Sequence, residues 1–497
     1  MEFGDWSGEQ AGPFAPSAVR GGILWNTAGQ VAARALGFAI VLILARLVVP
    51  RDFGLIAIGN VFIAFVAVVT DIGVGSALVQ RESNLRANAS AAFYMNALMI
   101  LVFGAGLLLL SGSIATFYRE SSVRGLLAVL TVAFLVRGWS AVHEAYLRRR
   151  MLFRRLQLIN LASILAYGVA AVALAWIGEG AWSIAWGTLL EGCVYAGLVV
   201  AASGMPLSPS LHLHRWGDLF SYGRWVFLGG VATWALQSGD NLAVGKFLGA
   251  GDLGAYSIAY AYGLLPASLI GAAVAQALFP AYARLQGDLV QLRDLIVKIV
   301  RVSAVVCLPI AGVFLFAGRD VLIAALGPRW APAGRPFQVF AVMFTALLFT
   351  ASFPRVYDAV NRPIVNLYVA LAALPVMVAG TVIGLHFGVL GVALGISVML
   401  VEMGVVQIVA VSRTTGLSAG VILAAVWPAA ACAILGVAAG AAPLLLLRQD
   451  LAPLAADAIA CAVLLAVYIL AVRRLFPALS AEAWAQVRAV LATLRAG

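Results

Sequence analysis

Long runs of apolar residues recur along almost the whole sequence. Fourteen of these runs approach or exceed the length of about 20 residues that a helix needs to cross a bilayer. They lie at 23–49, 54–79, 90–116, 123–146, 156–177, 181–202, 224–249, 254–279, 295–317, 336–358, 363–386, 388–411, 420–446 and 454–472. The runs are nearly continuous rather than alternating, so they predict transmembrane helices and not membrane strands.

Composition supports the same class. Of the 497 residues, 63% are hydrophobic and only 11% are charged, whereas a soluble domain carries about 25% charged residues. A cytosolic enzyme, a nucleic-acid-binding domain and a secreted disulfide scaffold are therefore excluded. We predict an all-α polytopic membrane protein with fourteen transmembrane helices.

The formal net charge is +11, and nearly all of the cationic residues are arginines. With a cytoplasmic N-terminus, about 21 cations fall on the cytoplasmic side and about 9 on the opposite side, as the positive-inside rule requires. The clearest cluster is the run of arginines at 148–155. We therefore expect both termini to face the cytoplasm.

The chain also repeats itself at an offset of 200 residues. The segment 44–58 matches 244–258 without a gap, with Asp52, Gly54 and Ile58 identical to their counterparts. Each copy joins the first and second spans of a presumed half, which predicts two pseudo-symmetric lobes arranged as a parallel repeat. The predicted organisation is an N-terminal lobe at 1–202, a cytoplasmic linker at 203–223, a C-terminal lobe at 224–411, two further spans at 412–476 and a cytoplasmic amphipathic helix at 477–497.

Charged residues within spans are the candidate functional residues, because each costs on the order of 3 kcal/mol to insert. Arg34 lies in the middle of the first span, and Asn26 and Gln30 precede it at four-residue steps. A polar stripe of this kind cannot face lipid, so it predicts the lining of a water-filled cavity, with structural pairing as the alternative. Arg137 in the fourth span is a second candidate cation.

Acidic residues within spans could bind or release an ion. Asp240, with Asn241 beside it in the seventh span, is the preferred candidate, against a structural hydrogen-bonding role. Asp71 in the second span could neutralise Arg34 or act in transport itself. Glu191 and Glu402 have weaker claims, and Glu144 is interpreted as a surface charge.

Arg46 and Lys246 occupy equivalent outer ends of the first helix of each presumed lobe. They either extend to the outer head groups or flank the mouth of a cavity. The sequence contains no P-loop and no zinc-protease motif, and its four cysteines lack paired spacing, so we expect no metal site.

Three segments resemble the polysaccharide transporter family of the multidrug/oligosaccharidyl-lipid/polysaccharide (MOP) superfamily, in its colanic-acid and xanthan type. They are the first span with its following loop at 24–55, the segment 71–80, and the arginine-rich stretch at 149–155. The resemblance implies a two-lobed helical protein of the MOP type. It also implies a flippase that carries undecaprenyl-pyrophosphate-linked oligosaccharides to the periplasmic leaflet for exopolysaccharide or O-antigen synthesis, by alternating access through a cationic central cavity.

On this interpretation the chain is a secondary transporter of the bacterial inner membrane and not an enzyme. It needs no cofactor, with proton or sodium coupling left open, and it binds no nucleic acid. Its partners would be the lipid-linked oligosaccharide, membrane lipid, and a polymerase and glycosyltransferases of the same pathway. A multidrug exporter of the same superfamily is the main alternative, and a membrane polysaccharide polymerase or acyltransferase is the alternative from another class.

Overall fold

The computed structural model describes residues 16–70, 85–205, 216–284, 288–447 and 451–477, which are helical with short turns and contain no strand. In chain order the α-helices are α1 Pro16–Leu47, α2 Pro50–Thr70, α3 Leu85–Tyr118, α4 Ser122–Trp139, α5 Ala141–Arg149, α6 Phe153–Trp176, α7 Ala181–Ser203, α8 Trp216–Phe247, α9 Ala250–Arg284, α10 Leu289–Leu326, α11 Ala331–Ala346, α12 Phe353–Ala359, α13 Ile364–Leu385, α14 Gly388–Thr415, α15 Ala419–Leu447 and α16 Pro453–Leu475.

The predicted fold class is confirmed. Twelve helical segments among the described residues are long and apolar enough to cross a membrane. The helices α8 and α9, with 32 and 35 residues, cover the predicted seventh and eighth spans. Large apolar side chains point outward, for example Leu109 at 85% and Val169 at 71% exposure. Such a surface suits lipid rather than water.

Two predicted spans are broken rather than continuous. The fourth is divided at Ser140 between α4 and α5. In the tenth, α11 gives way to a short 3-10 turn at Leu347–Thr350, and α12 then begins with Pro354 in its first turn. Proline lacks an N–H group and collides with the preceding turn, so it fits best in the first turn of a helix, where Pro354 lies.

The chain divides into two compact units, which we describe separately. The first comprises Met1–Val48 and Gly59–Val231. In it α6 packs against α7 and α1, and α4 packs against α3 and α7. One buried cluster joins α5, α6 and α7 at the ends that the predicted orientation places on the cytoplasmic side. Its members are Leu147, Leu156, Ile159, Tyr195 and Val199.

The second unit comprises Val49–Ile58 and Ala232–Gly497. Within it α13 pairs with α14, α15 with α16, and α10 with α11. The first turns of α2 belong to this unit, where the Phe53 ring meets the fully buried Trp330 ring edge to face at 5.2 Å. The predicted lobe boundaries stay predictions, and 206–215 of the linker and 478–497 of the terminal helix lie outside the described residues.

The 200-residue repeat appears in the helix boundaries. The helix α1 ends at Leu47 and α8 at Phe247, while α2 begins at Pro50 and α9 at Ala250. The two first turns meet: a methyl group on Gly54 would lie 1.7 Å from the Ala250 carbonyl oxygen, and one on Gly254 would lie 1.7 Å from the Pro50 carbonyl oxygen. The reciprocal contact gives this pair of helix ends a local two-fold relation, and only glycine fits at either position.

Candidate functional site

Arg137 lies in the last turn of α4, next to the break between α4 and α5. Ser140 interrupts the helix, and both its backbone N–H, at 3.1 Å, and its side-chain hydroxyl, at 2.8 Å, donate to the Arg137 carbonyl oxygen. The Asn96 amide of α3 donates to the Gly138 carbonyl oxygen at 3.0 Å. These bonds satisfy carbonyl groups that the helix end would otherwise leave without partners.

Two groups on α7 hold the guanidinium of Arg137. Its Nη1 lies 3.2 Å from Oε1 of Glu191, and its Cζ lies 4.1 Å from the centre of the Tyr195 ring. Glu191 and Tyr195 are four residues apart and so share one face of α7. The Arg137 side chain is nevertheless 43% exposed and that of Glu191 25% exposed, so the pair is accessible from the adjoining pocket.

That pocket lies among α2, α4 and α7 and has a volume of about 130 Å³. Asn60 and Thr188 add polar groups to its wall, while Ile63 and Phe134 contribute apolar surface. An engineered cavity of about 150 Å³ accepts benzene, which has six heavy atoms. The pocket therefore has room for a group the size of a phosphate, with its five heavy atoms.

A chain of polar contacts continues from this pair toward the arginine-rich turn. The Tyr195 hydroxyl lies beside the Glu144 carboxylate. Glu144 in turn accepts from Nη2 and Nε of Arg148, at 2.6 Å and 2.9 Å. The interpretation of Glu144 as a surface charge stays a prediction, and the structure adds its ion pair with Arg148.

The predicted stripe on α1 divides between two environments. Asn26 is half-buried against α6, where its Oδ1 accepts a hydrogen bond from the Gln157 amide at 2.9 Å. Gln30 and Arg34 are exposed on α1. Their role in a cavity stays a prediction, as does the pairing of Arg34 with Asp71, because Asp71 lies outside the described residues.

The two outer cations occupy matching places. Arg46 lies in the last turn of α1 and Lys246 in the last turn of α8. Arg46 is exposed and Lys246 is half-buried. Both expectations for these residues therefore stay predictions.

Asp240 and Asn241 form a second polar centre, in the second unit. Asp240 is 1% exposed. Its carboxylate accepts from the Tyr256 hydroxyl at 2.5 Å and from the backbone N–H and side-chain amide of Asn241, at 2.8 Å and 3.1 Å. Tyr256 is itself fully buried against Phe340. The carboxylate is thus enclosed but well supplied with donors, as a buried charge requires.

Sequence reasoning underrated Glu191 and missed Tyr195 and Asn60. The available signal was the four-residue spacing of Glu191 and Tyr195 on one face of a span. Their partner Arg137 is 54 residues away from Glu191 in the sequence, and only packing of α4 against α7 brings them together.

Comparisons with known proteins place this architecture in a family. A family model described as polysaccharide biosynthesis protein matches residues 43–335. The chain is 23% identical over 311 residues to the lipopolysaccharide biosynthesis protein WzxC of Escherichia coli, and 25% identical over 315 residues to the succinoglycan biosynthesis transport protein ExoT of Rhizobium meliloti. Each match covers 62% of this chain and 63% of the relative, so the chain spans less than two thirds of their length.

Solved structures agree on the fold. The lipid II flippase MurJ in an inward closed conformation gives a TM-score of 0.71 at 14% identity, with 91% of this chain and 99% of MurJ covered. An inward-facing multidrug resistance MATE transporter of the MOP superfamily gives 0.61 at 14% identity, with 77% of this chain and 96% of that chain covered. The predicted MOP-type helical fold is therefore confirmed.

The matched region is more than half of the chain and includes the helices that carry Arg137, Glu191 and Asp240. The chain is a multi-pass membrane protein with the MOP-type fold, and it belongs to the polysaccharide biosynthesis protein family.

Proposed function

We propose that the protein is a flippase for undecaprenyl-pyrophosphate-linked oligosaccharides in a bacterial inner membrane. It would carry the sugar head group from the cytoplasmic to the periplasmic leaflet for the synthesis of an exopolysaccharide or O-antigen. The names of WzxC and ExoT refer to biosynthesis of surface polysaccharides, and that of ExoT to transport, which supports this choice.

The observation that carries the proposal is the half-exposed guanidinium of Arg137, which lines a pocket within a transmembrane span. Phosphates and sugar hydroxyls lose their water when they enter hydrocarbon, at a cost of several kcal/mol for each unsatisfied group. An arginine offers planar, paired N–H donors that match phosphate oxygens. A pocket with such a donor lowers the barrier for the head group, while the polyprenyl tail stays in lipid.

Alternating access would complete the cycle, with the polar surface open first to the cytoplasm and then to the periplasm. In this proposal Arg34, Gln30 and Asn26 contribute to the same polar path, and Arg46 and Lys246 flank its outer mouth. Membrane lipid surrounds the protein, and a polymerase with glycosyltransferases would act before and after it in the pathway.

The test is polysaccharide export in the source strain after deletion of the gene and return of single variants. We expect Arg34→Ala and Arg137→Ala to abolish export at normal protein levels. The matched control is Arg124→Ala, which removes an arginine near the opposite end of α4 and should export normally. Full export by both test variants would remove this site from the proposal. Drug sensitivity of the deletion strain with normal export would instead favour the multidrug exporter.

We further propose that Asp240 couples transport to a proton or sodium gradient, because it is an enclosed carboxylate in a span. Asp240→Asn keeps the shape of the side chain and its contact with the Tyr256 hydroxyl. We expect this variant to transport with a weaker response when the gradient is collapsed in proteoliposomes. An unchanged response would assign Asp240 a structural role.

A further inference from the structure

The guanidinium of Arg137 is secured on one edge only. Among the described residues its hydrogen-bonding partner is Glu191, through the single Nη1–Oε1 contact of 3.2 Å. A guanidinium has five N–H donors. Arg137 and Glu191 both line the pocket, together with the polar residues Asn60 and Thr188, so an anion that enters it meets the guanidinium where the carboxylate already binds.

A second contact of the Arg137 guanidinium does not depend on Glu191. The centre of the Tyr195 ring lies 4.1 Å from Cζ of Arg137, and its hydroxyl lies beside Glu144, which accepts hydrogen bonds from Arg148. A cation can stay on an aromatic face while its in-plane donors exchange partners. Arg137 can therefore stay in place when a different anion takes the position of the carboxylate.

The pair also makes the pocket electrically neutral, because Glu191 cancels the charge of Arg137. A neutral pocket attracts a free anion only weakly. The Glu191 carboxylate and a phosphate oxygen require the same in-plane donors, so the two anions are alternatives at this arginine.

We propose that Glu191 is an internal competitor for the anionic head group. It binds the Arg137 guanidinium when the pocket is empty, and the diphosphate of the lipid-linked substrate replaces it there. This inference rests on the proposed function and adds to it a residue that sets affinity. The exchange limits how tightly the head group is bound and returns the carboxylate to Arg137 when the head group leaves.

The experiment measures binding of farnesyl diphosphate to the purified full-length protein in lipid nanodiscs, with farnesol as the control for the tail. Glu191→Gln keeps the size and the acceptor oxygen but removes the charge. A partly exposed ion pair contributes up to about 1 kcal/mol, so we expect affinity to rise by up to about fivefold. We expect Arg137→Gln to lower affinity by more than about tenfold, the scale of a lost charge-assisted contact.

Glu179→Gln is the matched control, since Glu179 is an exposed carboxylate in the turn before α7 and should leave affinity unchanged. Glu191→Gln should raise affinity less in the Arg137→Gln background than in the wild type, because without the arginine only like-charge repulsion by the carboxylate is removed. Thermal unfolding of each variant in the same nanodiscs confirms that it is folded.

The outcomes separate this inference from the proposed function. If Arg137→Gln loses affinity while Glu191→Gln either loses affinity or is unchanged, the competition is overturned and Arg137 remains a head-group contact. Equal affinity of the wild type and Arg137→Gln would overturn both the competition and the assignment of Arg137. Polysaccharide export by the Arg34→Ala strain tests the proposed flippase function independently of these binding measurements.

Discussion

At the scale of single residues, donors and counter-charges surround two of the charges within the described spans. Arg137 meets a carboxylate and an aromatic face, and Asp240 receives hydrogen bonds from a tyrosine and an asparagine. The sequence identified both charges because ionisable residues within apolar runs are conspicuous. It could not identify Glu191 or Tyr256 as their partners, since these contacts depend on how helices pack.

A comparison of two buried tyrosines tests the bond to Asp240. Tyr256→Phe removes a donor to a carboxylate, and Tyr357→Phe removes a donor to the neutral carbonyl oxygen of Gln407 at 3.0 Å. Both side chains are fully buried, so packing changes are similar. We expect a loss of about 2 kcal/mol for Tyr256→Phe and about 1 kcal/mol for Tyr357→Phe, since bonds to charged groups are stronger. Unfolding in detergent measures the difference, and an equal or reversed order would show that Asp240 is not charged in the folded protein.

At the scale of helices, apolar runs predicted the approximate extent of the described spans but not their interruptions. The sequence showed Pro354 inside the tenth span, yet not that a 3-10 turn would come before it. It likewise gave no sign that the fourth span would divide at Ser140, because serine is compatible with either outcome. That division lies three residues after Arg137, so the site adjoins a feature that periodicity does not reveal.

Glycines in the first turn of α9 provide a test of the helix contact with α2. A methyl group at Gly254 would lie 1.7 Å from the Pro50 carbonyl oxygen, whereas one at Gly251, three residues earlier, would meet nothing within 4 Å. We expect Gly254→Ala to destabilise the protein by about 1–3 kcal/mol through overpacking. Gly251→Ala should be neutral or stabilising by up to about 1 kcal/mol. Thermal unfolding compares them, and similar stabilities would contradict the close approach.

At the scale of the whole molecule, composition alone was sufficient for the membrane class, because 11% charged residues cannot cover a protein of 497 residues in water. The fold family then followed from sequence segments within the first 155 residues, and the comparisons confirm it. The orientation in the membrane and the predicted lobe boundaries stay predictions.

Cysteine labelling tests the orientation. In a background without the four native cysteines, Glu179→Cys should react with a membrane-impermeant maleimide added to cells with a permeabilised outer membrane. Arg150→Cys, in the arginine-rich turn after α5, should react only after the inner membrane is opened. Both turns are exposed, so access depends on the side of the membrane. The opposite pattern would invert the topology.

The reciprocal glycines at positions 54 and 254 carry a consequence for the history of the chain. If the two segments arose from one duplicated ancestor, each copy now limits which substitutions the other accepts, because a side chain on either glycine collides with the backbone of its counterpart. The contact between these two turns places no restriction on substitutions elsewhere in the two copies. We therefore expect these two turns to preserve the ancestral sequence longest.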